Sequence, residues 1–168
     1  ANEANEANEA NEANEANEAN EANEANEAIM LFPKKVKHRK WQRARKNPAK
    51  IGVATRGTVL NFGAYGLKST TPGRINSRQI EAARKALTRV VSKTGKIWIR
   101  IFPDRPYTKK AAEVGMGKGK GDVEGYEVEV KPGRILFEVD GVEQSDAKEV
   151  LRKAGAKLPV KTKVVSRE

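Results

Sequence analysis

A break in charge constrains this chain more than any other feature. Residues 1–27 are nine copies of Ala-Asn-Glu carrying nine carboxylates and no base, whereas Ala28 to Ile80 holds thirteen Lys or Arg and no Asp or Glu. A run of cations without internal counter-ions cannot neutralise itself by folding. It calls for an external polyanion, and nucleic-acid phosphate is the commonest. The repeat has the opposite character. Its three-residue period advances about 300° per unit on a helix, so the alanines form no fixed apolar stripe, and successive Glu residues at i, i+3 repel. Residues 1–29 are therefore expected to be a disordered low-complexity tail or a frayed lone helix. An intramolecular acidic shield over the basic surface is the functional alternative, and Met30 opens a segment that reads like a natural start.

With the tail's nine carboxylates set aside, the formal net charge of +11 becomes about +20. Residues 30–168 suffice for one compact domain and hardly for two. The expected organisation is a basic arm over 30–52 and a single globular RNA-binding domain over 53–168. There is no Cys, which excludes disulfides and cysteine-ligated metal and fits a reducing compartment. No stretch approaches 18 uncharged apolar residues, so no membrane partner is expected and a cytoplasmic location is the simplest reading.

Residues 33–50 contain nine Lys or Arg with little apolar periodicity, the pattern of an extended arm that orders on a polyanion. Lys34, Lys35, Lys37, His38, Arg39, Lys40, Arg43, Arg45 and Lys46 are its candidate RNA contacts. Trp41, an indole among cations, suits stacking on a base or capping the domain. A solvated surface or a nuclear-import-like signal is the plain alternative for the arm.

Alternation and glycines from Val53 to Thr70 suggest short twisted strands, closed as a hairpin region by Thr71-Pro72-Gly73. Asn76 as N-cap, Gln79 at the third helical position and Gly95 as a stop predict a helix over 77–93. Ile80, Ala83, Leu87, Val90 and Val91 share one face of it, and Arg78, Lys85, Arg89 and Lys93 the other. A solvated face ordinarily mixes signs, so this single-sign stripe is a second candidate RNA surface. Lys96 to Phe102 alternates as a strand with Ile97, Ile99 and Ile101 inward. Its Trp98-Arg100-Phe102 face suits either base stacking or a second packed layer, and Pro103 to Pro106 opens a loop. Tyr126–Val130 and Arg134–Val139 read as a hairpin turning at Lys131-Pro132-Gly133. A second helix from Ser145 to Ala156 buries Ala147, Val150, Leu151 and Ala154, and a final strand runs through Val164 and Val165. The fold class expected is α+β, a two-layer sandwich.

Gly115-Met116-Gly117-Lys118-Gly119-Lys120-Gly121 is the most unusual local sequence after the tail. It lacks the Gly-Lys-Ser/Thr ending of a P-loop and fits Gly-x-Gly-x-x-Gly in no register. Alternate glycines instead let backbone approach a phosphate or ribose closely, while the lysines add point charges. A plain flexible connection would need no lysines. Catalysis is poorly supplied: His38 is the only histidine, and it has no carboxylate near it in sequence. Asp122, Glu124, Glu127 and Glu129 could be imagined as a magnesium site, but Glu127 and Glu129 read better as solvated positions on one strand face. Neither enzymatic activity nor any cofactor or metal is expected.

Several blocks in order, Met30-Leu31-Phe32-Pro33-Lys34-Lys35, Asn61-Phe62-Gly63-Ala64-Tyr65-Gly66-Leu67-Lys68, Gln79-Ile80-Glu81-Ala82-Ala83-Arg84, Lys96 through Asp104, and Met116 through Gly121, resemble one family, the bacterial large-subunit ribosomal protein number sixteen. The resemblance runs from Met30 to about Val165. It implies a hammerhead-like strand arrangement and a protein bound to large-subunit ribosomal RNA near the base of the central protuberance. Neighbouring ribosomal proteins and tRNA are the further implied partners, because the family helps shape the aminoacyl-tRNA site. By position, the arm from Lys34 to Lys50 matches the family's RNA-penetrating N-terminus. The loop of Met116, Gly117, Lys118, Gly119 and Lys120 matches its tRNA-facing segment. Many relatives carry Arg before that loop motif; here the position is Gly115, so an Arg contact is not carried over. The competing reading is a free RNA chaperone or assembly factor that binds many RNAs transiently through the same basic surface.

Overall fold

The computed structural model describes residues 31–42, 51–91 and 95–167. The acidic repeat, and every expectation placed on it, lies outside them. Of the chain's two units, Phe32–Glu168 carries all the secondary structure considered below. In chain order this comprises β1 (Tyr65–Ser69), β2 (Gly73–Asn76), α1 (Ser77–Val91), β3 (Lys96–Ile99), β4 (Arg105–Lys109), β5 (Asp122–Val130), β6 (Ile135–Asp140), α2 (Gln144–Gly155) and β7 (Thr162–Ser166). Among the described residues the fold is α+β, with two helices and two antiparallel sheets, ordered β3-β6-β1-β7 and β2-β5-β4.

Strand β6 is buried on both faces from Ile135 to Val139, which requires a partner on each edge and a layer on each side. The partners are β1 and β3. One covering layer is helical. A Cβ placed on Gly155 of α2 would lie 3.7 Å from Leu67 Cδ1 and 2.4 Å from Thr162 Oγ1, so α2 sits directly on β1 and β7. The other layer is the irregular segment 51–64, where Leu60 packs so closely on Gly66 that a Cβ there would meet its Cδ2 at 2.3 Å. Phe137, Leu136, Ile135, Val139, Leu67, Ile80, Leu87 and Leu151 are the large apolar side chains that this arrangement removes from water.

Both helices begin and pack much as their periodicity dictates. The side-chain oxygen of Gln79 accepts from the Asn76 backbone N–H at 3.0 Å, the back-reaching half of a capping box. Ile80, Ala83, Leu87 and Val91 are buried on α1, but Val90 is exposed; its position at the margin of the apolar arc falls beyond the packed seam. On α2 all four anticipated residues, Ala147, Val150, Leu151 and Ala154, are buried.

The strand pairings differ from those read in the sequence. The turn at Lys131-Pro132-Gly133 exists, yet β5 and β6 belong to different sheets and form no hairpin. The turn's donors explain this: Gly133 N–H goes to Ser69 O at 2.7 Å and Ile135 N–H to Gly57 O at 2.8 Å, drawing the chain away from β5. Likewise Thr71-Pro72-Gly73 carries the chain from one sheet to the other, and 51–64 forms no strand. Strand β3 ends at Ile99, with one further bond from Arg100 N–H to Leu136 O at 2.9 Å. The supposed loop after Pro103 contains β4. It is an edge strand paired only with β5, where Pro106 is tolerated because one side of the strand needs no donors.

Candidate nucleic-acid interface

The arm and the glycine-lysine loop, some eighty residues apart in sequence, are fastened to each other. Lys40 Nζ donates to Lys120 O and to Asp122 Oδ1, each at 3.3 Å, and Lys120 Nζ donates back to Trp41 O. Arg39 Nη2 lies 3.9 Å from the same Asp122 oxygen. Arg105 of β4 completes the seat: its Nη2 donates to Gln42 O at 2.9 Å, and its guanidinium carbon stands 5.7 Å from the Trp41 ring centroid. Trp41 thus caps the domain on its arginine side while remaining 40% exposed.

Arg105 is itself held by buried charge. Its Nε is 3.7 Å from Glu127 and its Nη1 3.3 Å from Glu129, while Arg74 reaches Glu127 at 3.3 Å. Glu127 is only 9% exposed, which corrects the expectation that Glu127 and Glu129 are solvated. Alternation along β5 identified their shared face but not the arginines that β2 and β4 bring over it. The other two carboxylates in question are also engaged, Asp122 by the arm and Glu124 by Lys109 at 3.6 Å. Among the described residues, no group of three His, Cys, Asp or Glu is placed to hold a metal ion.

The loop beyond this seat projects freely. Residues 111–120 are all exposed, and Met116 completely so. Gly117, Lys118 and Gly119 have φ of +94°, +54° and +85°. Glycine adopts such values at no steric cost, but Lys118 is the single non-glycine residue with positive φ among those described. Lys110 Nζ donates to Gly117 O and pins the returning limb. The loop is therefore a shaped projection on a fixed base, with Lys118 exposed between two glycines of positive φ.

Of the remaining predicted contacts, Lys34, Lys35, Lys37, His38 and Arg39 are exposed along the arm. Arg43, Arg45, Lys46 and Lys93 lie outside the described residues. Arg78, Lys85 and Arg89 are exposed on one side of α1. Glu81, three residues after Arg78 and four before Lys85, borders that side and is engaged by Arg84 Nη2 at 2.6 Å. Trp98 and Arg100 of the Trp98-Arg100-Phe102 face belong to a packed layer, while Phe102 is exposed. Phe62 stacks on Trp98 with ring centroids 6.0 Å apart, and Arg100 lies over Phe62 at 4.8 Å while pairing with Glu138. Sequence reasoning passed over Arg105, Lys110 and Asp122 as organisers of the site. Only the unusual placing of Arg105 between two prolines hinted at a fixed role.

Comparison with known proteins follows the same lines. Residues 33–165 match the family described as ribosomal protein L16p/L10e. The chain is also similar to the large ribosomal subunit protein uL16 of Pseudothermotoga lettingae, with 54% identity over 138 residues covering 82% of this chain and 94% of that relative.

Proposed function

The chain belongs to the ribosomal protein L16p/L10e family, and from that premise we propose a structural constituent of the large ribosomal subunit that organises RNA rather than transforming a substrate. The finer reading is that it binds large-subunit rRNA near the base of the central protuberance, beside neighbouring ribosomal proteins. There it helps order the aminoacyl-tRNA site and touches tRNA through the loop around Lys118. The two-layer, hammerhead-like arrangement implied by the resemblance goes with this reading. The family is not known for enzymatic activity, and no described helix is long and apolar enough to cross a membrane.

One observation carries the proposal: arm and loop are joined through Lys40, Lys120, Asp122 and the Trp41 carbonyl into a single cationic surface. A surface assembled before binding loses less conformational entropy when RNA arrives, and its fixed cations favour one backbone path over many. That is what a permanent rRNA partner requires and a transient chaperone does not. Binding of the full chain to a large-subunit rRNA transcript and to a scrambled RNA of equal length, at one salt concentration, tests the difference. Marked preference for the rRNA is expected; equal affinities would favour the chaperone.

A further inference from the structure

The cations on the other side of the four-stranded sheet belong to neither surface described so far. Lys68 on β1 lies directly opposite Lys163 on β7, so two ammonium groups share one sheet face. Lys161 and Lys131 flank them. The Lys161 carbonyl accepts from Thr70 N–H at 2.8 Å, and Lys68 Cε would lie 4.0 Å from a Cβ on Gly133, at the turn that Lys131 begins. Lys131, Lys161 and Lys163 are exposed and Lys68 is half-buried. Among the described residues none of the four enters an ion pair. Glu138, whose position opposite Gly66 places it on this face, is already engaged by Arg100.

Like charges directly across an antiparallel pair are destabilising. Lysines on an exposed edge have an ordinary use in preventing strand pairing, and that explains Lys163 on β7 and Lys161 just before it. It does not explain Lys68, because β1 is flanked by β6 on one side and β7 on the other. The β1–β6 register also slips between Leu67 and Lys68, the kind of irregularity that re-aims a side chain.

We propose that Lys68 and Lys163, with Lys131 and Lys161 beside them, form a second phosphate-binding surface that takes the backbone of an RNA segment different from the one met by α1. The separation follows from the layers. Leu67 and Thr162 face α2, so Lys68 and Lys163 project from the opposite side of the sheet, whereas Arg78 and Arg89 lie on the outer surface of the helical layer. One straight RNA backbone cannot cover both, and the protein therefore ties two segments together. This inference rests on the rRNA reading above.

The test uses full chains carrying Lys163→Glu or Arg78→Ala/Arg89→Ala, the large-subunit rRNA transcript, and a scrambled RNA. Lys163→Glu replaces a like-charge pair with an opposite-charge pair, so its melting temperature should hold or rise while its RNA binding falls. With both lysines neutralised, the slope of log K against log salt should shrink by about two, at roughly 0.9 per phosphate contact. Lys163→Gln, which removes one charge without reversing it, should shrink the slope by about one and guards against misfolding of the first variant. Hydroxyl-radical footprints should lose protection at different rRNA segments for the β7 and α1 variants. Unchanged slopes would overturn the phosphate-binding surface, and loss of the same protections by both variants would overturn the two-segment bridge. Failure of the unmodified chain to prefer rRNA would instead overturn the rRNA reading, and the slopes on either RNA would still judge the patch.

Discussion

Glu138 stands where an isolated carboxylate would be prohibitively costly, with no solvent exposure. Burial alone would raise its pKa, but the N–H groups of Gly63, Phe62 and Asn61, with Arg100 alongside, outweigh it and hold the carboxyl below its ordinary value. The hydrogen bonds from Gly63 and Phe62 are 3.0 and 2.7 Å. Gly63 is required for this approach, since a Cβ would lie 2.6 Å from Val139 O. The carboxylate therefore pins the irregular segment 51–64 onto the sheet. Glu138→Gln leaves Arg100 unpaired and should cost about 3–5 kcal/mol, the range for breaking a buried pair. Because the native pKa is depressed, the stabilisation is complete above the ordinary carboxylate value of 4.5 and is lost as pH falls through the lower native value. Urea unfolding should accordingly show the gap between the two proteins narrowing in acid. A gap independent of pH would contradict the role assigned to the charge.

At the scale of elements, the helices were legible and the pairings were not. The Gln79 side chain reaching back to the Asn76 N–H and the apolar spacing of α2 are local signals, written within a few residues of where they act. Leu151→Ala should cost about 2–5 kcal/mol in chemical denaturation; a loss under 1 kcal/mol would show that α2 packs loosely. The assignment of β5 and β6 to different sheets, and the existence of β4, depend on bonds to Ser69 and Gly57 and on an edge position, none of which alternation encodes. The candidate site divides the same way. Its cations were visible as a run, but the clasp joins residues 79 to 82 positions apart. Asp122→Asn should weaken that clasp and speed backbone hydrogen exchange in residues 34–42; unchanged exchange would mean that Lys120 and Arg105 suffice to hold the arm. Replacing Lys118 and Lys120 with Ala should weaken tRNA accommodation more than incorporation into subunits. Lys118→Ala alone leaves the Lys120 clasp in place, and unchanged tRNA binding in fully occupied ribosomes would reject the loop assignment.

For the whole molecule, most described carboxylates that touch the candidate surfaces are consumed in holding cations in place, as Asp122, Glu127 and Glu129 do. Exposed bases such as Lys34, Lys35 and Lys37 on the arm, Arg78 and Arg89 on the outer side of α1 and Lys163 on the β1–β7 face are placed to neutralise an external polyanion. Removal of residues 1–29, with their nine carboxylates, should leave rRNA affinity unchanged or raise it, as read by a salt titration. A large loss would make the repeat a binding element. The central claim is permanent residence in the large subunit, and sedimentation through a high-salt sucrose gradient measures it most directly. The account predicts that the chain travels with the large subunit at salt concentrations that strip transient RNA binders; its release to the top of the gradient under those conditions would contradict it.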